Sequence, residues 1–187
     1  MRTLRRLKEQ GLTHALCGNL GALLMAREAG LQIIGDYGLN IINSPAARQA
    51  AELGCGAITL SFECERGAAK NIASPVPLGV IAYGHLPLML LRNCPGKTAA
   101  GCGDCTGINR ITDRRGEDFP LQCERRRYTH LLNPRPLLLC DRLPEWDFCD
   151  FLTLRFTVES PAECDEVLKM YRTGAAPAGQ FTRGLYY

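Results

Sequence analysis

The chain has 187 residues, of which 46% are hydrophobic and 22% are charged. This length fits one globular domain with a sizeable core, and the composition excludes a disordered chain. No run of about 18 apolar residues occurs, so we expect no membrane-spanning helix. The formal net charge of +3 is small and by itself selects no class of partner.

The basic first ten residues predict an amphipathic helix of the domain rather than a targeting peptide, because no cleavage-type site follows them. The chain contains ten cysteines, and Cys17, Cys55 and Cys140 lie inside apolar runs. Export of the protein with five disulfides would need a secretory signal, and the first ten residues do not supply one. The pattern therefore favours a reducing, cytoplasmic setting.

Strands and helices are predicted to alternate through the first half of the chain. Apolar runs predict four strands, and the segments between them predict helices, the second of which has Ser44 as its N-cap and Pro45 as its first residue. A rhythm of about 25 residues is typical of βα units around a parallel sheet. The predicted strands are 14–19, 31–35, 55–62 and 77–83, and the predicted helices are 20–29, 44–53 and 63–71.

Polar side chains follow the carboxyl ends of these strands, where α/β sheets place their chemistry. Each also has a plainer interpretation, because the aspartate and asparagines suit turns or caps, the glutamate suits a helix start, and the histidine suits a loop. The rim set is Asn19, Asp36, Asn40, Glu63, Tyr83 and His85, of which Asp36, Asn40, Glu63 and His85 are the candidate catalytic residues.

The most informative stretch contains the spacing C-x7-C-x2-C-x17-C, formed by Cys94, Cys102, Cys105 and Cys123. Two thiolates two residues apart can face one ion across a tight turn, which Gly103-Asp104 would supply. Four thiolates satisfy either a tetrahedral zinc ion or a 4Fe–4S cluster, and the spacing does not separate the two. The alternative is four ordinary thiols, but surroundings rich in Gly, Pro and Asp make poor core.

The same stretch carries the chain's positive charge. Between residues 92 and 142 there are ten Lys and Arg residues against six Asp and Glu, whereas the rest of the chain is close to neutral. A basic surface beside a metal site suits an anionic partner such as RNA. A solvated arginine-rich surface is the open alternative.

Beyond the cysteines, residues 128–140 predict another buried strand or short helix, and residues 147–159 predict the last strand. Ser160-Pro161 predicts the start of a helix that runs to about Tyr171, and a loose tail follows Gly174. We therefore divide the chain into βα units at 1–91, a cysteine-rich module at 92–127 and closing units at 128–187.

Several catalytic motifs do not occur in the sequence. It contains no GxGxxG, no P-loop, no HExxH and no GxSxG. Dinucleotide binding, nucleotide-phosphate binding, zincin chemistry and serine hydrolysis therefore lose their usual support.

Short motifs are spread over nearly the whole chain: Asn19-Leu-Gly, Gly35-Asp-Tyr-Gly-Leu-Asn40-Ile-Ile-Asn-Ser, Thr59-Leu-Ser-Phe-Glu63, the Gly84-His85 turn before Pro87-Leu-Met, Arg92-Asn-Cys94-Pro, Cys102-Gly-Asp-Cys105, Asp113-Arg-Arg-Gly, Phe119-Pro-Leu-Gln-Cys123 and Phe181-Thr-Arg-Gly184. Together they resemble the collagenase-like U32 peptidase family. The resemblance implies a TIM-type (β/α) barrel followed by a cysteine-bearing segment. The better understood members are RNA or ubiquinone hydroxylation factors in which four cysteines hold a 4Fe–4S cluster and prephenate serves in tRNA and rRNA hydroxylation. Carried over, the ligands are Cys94, Cys102, Cys105 and Cys123.

The chain departs from the family at two cysteine positions. Pro87 stands seven residues before Cys94, where many members have a cysteine, and Cys140 stands two residues beyond a cysteine that many have near Leu138. Cys140 is therefore a reserve ligand.

Four strands are predicted before the cysteines and about two after them, fewer than a closed eight-stranded barrel needs. The expected fold is α/β: a partial TIM-type barrel with a parallel sheet and an inserted cysteine-rich module. A second chain would then supply the missing strands.

Three functions remain open. The favoured one is an iron–sulfur component of prephenate-dependent tRNA or rRNA hydroxylation. The family name implies a peptidase, but no Cys–His–Asp or metalloprotease spacing is visible, and a thiol protease would need a thiolate paired with His14, His85 or His130. The third is a zinc-stapled binding or assembly module without enzymatic activity.

Overall fold

A computed structural model of the chain describes residues 1–97, 102, 105–175 and 179–185. The chain forms two compact units. The first unit comprises Met1–Ala82, Arg142–Thr153 and Arg183–Tyr187, and the second comprises Tyr83–Asp141 and Leu154–Thr182.

The first unit begins with the predicted alternation of helices and strands. Helix α1 spans Arg2–Glu9, and three βα units follow before the fourth strand. The elements are β1 His14–Cys17, α2 Leu20–Glu28, β2 Gln32–Gly35, a 3₁₀ turn Tyr37–Leu39, α3 Ser44–Glu52, β3 Cys55–Thr59, α4 Arg66–Ala69 and β4 Leu78–Gly84, with a second 3₁₀ turn Leu143–Trp146 and β10 Phe151–Leu154 further along the chain.

Two local predictions in this unit are wrong. Asn43, rather than Ser44, caps α3, because its side chain accepts the N–H of Ala46 at 2.9 Å while the Ser44 hydroxyl accepts the N–H of Ala73. The helix expected over 63–71 is reduced to α4, a single turn.

The parallel sheet is confirmed. Strands β1, β2, β3 and β4 pair in parallel in chain order, and β10 is the next strand beside β4. β1 ends the order and so forms one edge of this sheet. Over the described ranges neither sheet closes on itself, so the architecture is α/β with a mostly parallel sheet.

The second unit contains a four-stranded antiparallel sheet that the sequence did not predict. Its order is β5-β8-β7-β6, so consecutive hairpins build most of it. The strands are β5 Pro87–Leu91, β6 Ile108–Thr112, β7 Asp118–Glu124 and β8 Tyr128–Leu132. The module expected at 92–127 thus supplies two strands to a sheet whose other two strands lie outside that range.

A short strand and a helix complete the second unit. β9, Leu137–Leu138, pairs antiparallel with the end of β4, and α5 spans Pro161–Thr173. Ser160 and Glu163 form a capping box at the start of α5, as the Ser-Pro sequence predicted for its cap. The strand expected over 147–159 is confined to β10. After α5, Thr182 exchanges backbone hydrogen bonds with Pro136 and Leu138.

The core of the second unit packs under β9 and α5. Tyr83, Leu138, Cys140 and Val167 are buried together, and the ring of Phe156 lies 5.3 Å from that of Tyr83. In the described part of the chain the longest helix has 13 residues, and none combines the length and apolar character that a membrane span requires.

Candidate metal centre

Cys123 and Cys105 are brought together by the start of the β6–β7 hairpin. Cys123 lies on β7, and its N–H donates to the carbonyl oxygen of Gly107 at 2.7 Å. Gly107 has φ +89°, which glycine adopts readily, and its N–H donates to Sγ of Cys105 at 3.4 Å. A backbone N–H directed at sulfur stabilises a thiolate in metal and cluster sites.

Cys94 lies in the loop that follows β5. The N–H of Lys97 donates to the Cys94 carbonyl oxygen at 3.1 Å and closes a tight turn. Gly96 lies against the side chain of Asn109 on β6, so closely that a Cβ there would stand 2.5 Å from Nδ2. The close approach holds the Cys94 loop against the sheet that carries Cys123.

All four predicted cysteines line one cavity of about 260 Å³. The thiols are accessible to different degrees, since Cys105 is exposed and the other three are half-buried. The turn expected at Gly103-Asp104 lies outside the described residues. The cavity is lined by Cys94, Cys102, Cys105, Thr106, Gly107, Cys123, Arg125 and Arg126.

Two of the lining residues are arginines in a strained turn. The N–H of Arg127 donates to the carbonyl oxygen of Glu124, and the residues between them, Arg125 and Arg126, have φ +49° and +62°. Left-handed backbone costs a residue with a Cβ roughly 1–2 kcal/mol, which is why Asn and Gly dominate such turns. Nη2 of Arg126 donates to the carbonyl oxygen of Cys102 at 3.1 Å, so its guanidinium lies beside the cavity.

The donor chemistry fits a four-thiolate centre. Four sulfurs share a cavity with N–H and guanidinium donors, and such a centre carries net negative charge with either zinc or a 4Fe–4S core. Within the described ranges, however, no three Cys, His, Asp or Glu side chains are arranged to hold a single ion as they stand.

The reserve ligand lies elsewhere. Cys140 is buried in the apolar cluster with Leu138 and Val167, and its Sγ donates to the carbonyl oxygen of Ala175 at 3.4 Å. It is not among the residues that line the four-cysteine cavity. Cys17, Cys55 and Cys64 are buried in the first unit, where burial raises the pKa of each thiol.

The structure gives Asp36, Asn40 and Glu63 local backbone contacts. Oδ1 of Asp36 accepts the N–H of Tyr37 at the start of the 3₁₀ turn, and Asn40 ends that turn with left-handed backbone, φ +54°. The side chains of Asn40 and Glu63 are exposed, and the N–H of Glu63 donates to the Ser61 hydroxyl. Asn19 likewise caps α2. The loops after β2 and β3 do meet, because the N–H of Ser61 donates to the carbonyl oxygen of Ile41.

His85 belongs to a buried polar cluster in the second unit. Its Nδ1 lies 2.6 Å from the carbonyl oxygen of Asn133, and its Nε2 lies 4.0 Å from Oε1 of Glu159. Oε2 of Glu159 accepts the backbone N–H groups of Thr157 and Val158. Burial, and then the neighbouring Glu159, raise the pKa of Tyr83.

Sequence reasoning missed Glu159 as a partner of His85. It was placed at the end of the predicted strand 147–159, and nothing in the order of residues links it to His85. Sequence reasoning placed all the arginines of residues 92–142 on one basic surface for an anionic partner, because nothing in the order of residues shows which side chains a turn directs to the cysteines.

The histidines do not support a thiol protease. Nδ1 of His14 lies 2.8 Å from the Thr13 hydroxyl, His85 contacts Asn133 and Glu159, and His130 packs edge-on against Tyr128. No Cys–His hydrogen bond occurs among the described residues, and all three histidines are within them. Comparisons of the chain with protein-family models, curated proteins and solved structures found no match.

Proposed function

We propose that the chain holds a 4Fe–4S cluster on Cys94, Cys102, Cys105 and Cys123 and serves in prephenate-dependent hydroxylation of tRNA or rRNA. The observation that supports the cluster is the shared cavity, because residues up to 29 positions apart in the chain bring four thiols to one place. Bound there, a 4Fe–4S cluster would supply one-electron transfer. The RNA and prephenate parts of the proposal rest on the family resemblance and on charge.

The cluster is preferred to zinc on grounds of size. A zinc ion needs all four sulfurs at about 2.3 Å, which would bring them close together. The four cysteines share a cavity, but among the described residues no three of them are grouped tightly enough for one ion. A core of four irons and four sulfides is wider than one ion, so it suits thiols that are spread around a cavity. The alternative is a zinc-stapled module without enzymatic activity, and analysis of the bound metal distinguishes the two.

The proposed RNA surface is the arginine-rich part of the second unit. Arg114 and Arg115 are exposed at the tip of the β6–β7 hairpin, and Arg127 is exposed at the β7–β8 turn. Two other arginines of this unit are engaged with acids, since Arg110 on β6 pairs with Asp118 and Arg135, after β8, pairs with Glu117. The exposed arginines are the ones that we propose contact phosphate.

For the small organic acid we propose the strand-end residues of the first unit, Asp36, Asn40 and Glu63. Asp36, Asn40 and Glu63 follow β2 and β3, whose loops contact each other. His85 follows β4 and has its own partner in Glu159. Asn40 and Glu63 are the exposed residues of this site. If Asn40→Ala and Glu63→Ala bind prephenate as tightly as wild type does, these two residues do not belong to the site.

We propose, further, that the parallel sheet is part of a TIM-type barrel completed by additional βα units, fused or on a second chain. β1 is the terminal strand, and Leu16 on β1 and Leu20 on α2 are 58% and 59% exposed. Supplying βα units should raise solubility and sharpen melting. A chain that alone is monomeric, soluble and sharply two-state in unfolding would contradict this proposal.

Anaerobic purification with iron and sulfide analysis tests the central proposal. The expected result is a brown protein with about four irons and four sulfides per chain. Colourless protein with stoichiometric zinc would establish the stapled module, and protein with neither would leave the four cysteines without a bound centre. Peptide hydrolysis that survives removal of the metal and depends on one cysteine would favour the peptidase.

A further inference from the structure

The Arg125-Arg126 turn combines two features that a stable hairpin does not need. Both residues adopt left-handed backbone, which disfavours side chains with a Cβ, and both line the four-cysteine cavity. A turn with these φ signs strongly prefers Asn-Gly, which supplies the same geometry without strain. The chain instead places two long cationic side chains there.

The contacts show where this charge lies. Nη2 of Arg126 donates to the carbonyl oxygen of Cys102, and the Arg125-Arg126 turn directly follows Glu124 and Cys123 on β7. Arg127, the next residue, has no positive φ and is not among the residues that line the cavity. Within one turn, therefore, the two strained arginines face the cysteines and the unstrained one does not.

We propose that Arg125 and Arg126 are positioning residues that hold positive charge against the four-thiolate centre, at the cost of turn strain. Positive charge beside an anionic centre favours its retention and favours its reduced, more negative state. The inference rests on the proposed function, because it requires that the four cysteines hold a centre. It adds that two arginines of this chain adjust the retention and the reduction potential of that centre.

Three variants test the strain and the charge of this turn, which different readouts report. Arg125→Asn with Arg126→Gly removes both the strain and the two charges, whereas Arg125→Lys with Arg126→Lys keeps both. Arg127→Ala removes one charge from the same turn without changing the cavity lining. All three are exposed substitutions, so we expect each chain to fold.

Three readouts apply to each variant: the urea midpoint of the metal-free chain, the rate of iron loss to a chelator after reconstitution with iron and sulfide, and the reduction potential. The Asn-Gly variant should have an unfolding equilibrium shifted roughly tenfold or more towards the native state. It should also lose iron several times faster than wild type and have a more negative potential. The Lys-Lys and Arg127→Ala variants should stay close to wild type in all three.

An Asn-Gly variant that retains iron and keeps the wild-type potential would overturn the inference while leaving the proposed function intact. The inference would also be overturned if the metal-free Asn-Gly variant were no more stable than metal-free wild type, because the turn would then store no strain. If wild type binds neither iron–sulfur nor zinc, the proposed function fails first and the inference fails with it.

Discussion

Nε2 of His85 lies 4.0 Å from Oε1 of Glu159, and only 13% and 5% of the two side chains are exposed. Because a carbonyl oxygen can only accept, Nδ1 of His85 donates to Asn133, and the same imidazole turns its other nitrogen to the carboxylate. The two buried polar groups therefore face each other. Such a pair can be tested for coupling without any assumption about function.

His85→Leu should destabilise the fold by about 1–3 kcal/mol, because it leaves the carbonyl oxygen of Asn133 without its donor and removes the imidazole that faces Glu159. Glu159→Gln should cost less, since the amide oxygen can still accept from Thr157 and Val158. In the double variant the loss should be smaller than the sum of the single losses. Urea unfolding measures all three, and strictly additive losses would show that the two side chains are not coupled.

His130 should make stability fall at acidic pH. Burial, and then Arg155, lower its pKa below the usual 6.5, while Glu124 opposes them. The unfolded state therefore binds the proton more readily, and stability is lost as the pH falls through 6.5 towards the lowered folded value. The difference in urea midpoint between pH 7.5 and pH 5.5 should shrink in His130→Gln. An equal difference in both proteins would contradict this assignment.

Gly79→Ala should destabilise the first unit. Gly79 is buried on β4, and a Cβ there would collide with the ring of Phe151 on β10, the neighbouring strand. We expect a loss of about 1–3 kcal/mol in thermal or urea unfolding, as in other overpacked sites. Gly67→Ala is the matched control, because it lies in α4 with open space around it and should be neutral or stabilising. A Gly79→Ala chain as stable as wild type would contradict the close packing of β4 on β10.

The sequence predicted the parallel strands because their signal is local. β1 to β4 are short apolar runs bounded by glycine and polar turns, and α2 and α3 begin at asparagines that can cap them. The wrong prediction of the α3 cap also came from a local signal, because Asn43, Ser44 and Pro45 all suit a helix start. Only the tertiary contact of Ser44 with Ala73 shows which residue is free to cap.

The antiparallel sheet was missed because β6 is polar and most residues of the four strands are half-buried or exposed, so none of them shows a run of buried apolar residues such as that of β4. β6 reads Ile-Asn-Arg-Ile-Thr, and only one residue of β7, Leu121, is buried. The hairpin did leave a signal in Asp113-Arg-Arg-Gly, where Asp113 accepts the N–H groups of Arg115 and Glu117 and Gly116 has φ +81°. The grouping of the cysteines was predicted from spacing, but the arginines beside them depend on this sheet and on the β7–β8 turn.

RNA binding through the exposed arginines should depend steeply on salt. Arg114→Ala, Arg115→Ala and Arg127→Ala combined should lower affinity for tRNA or rRNA and reduce the slope of log K against log salt by roughly 0.7 for each single-strand phosphate that is no longer neutralised. Arg110→Ala is the control, because Arg110 is already paired with Asp118. Binding that is insensitive to salt, or absent from the metal-loaded protein, would contradict the proposed surface.

The most direct test of the account is the iron content of single cysteine variants after anaerobic reconstitution with iron and sulfide. Wild type should hold about four irons, and Cys94→Ser, Cys102→Ser, Cys105→Ser and Cys123→Ser should each lose stoichiometric iron. Cys17→Ser and Cys164→Ser should retain it, because neither residue lines the four-cysteine cavity. Full iron retention in Cys105→Ser, or none in wild type, would contradict the account.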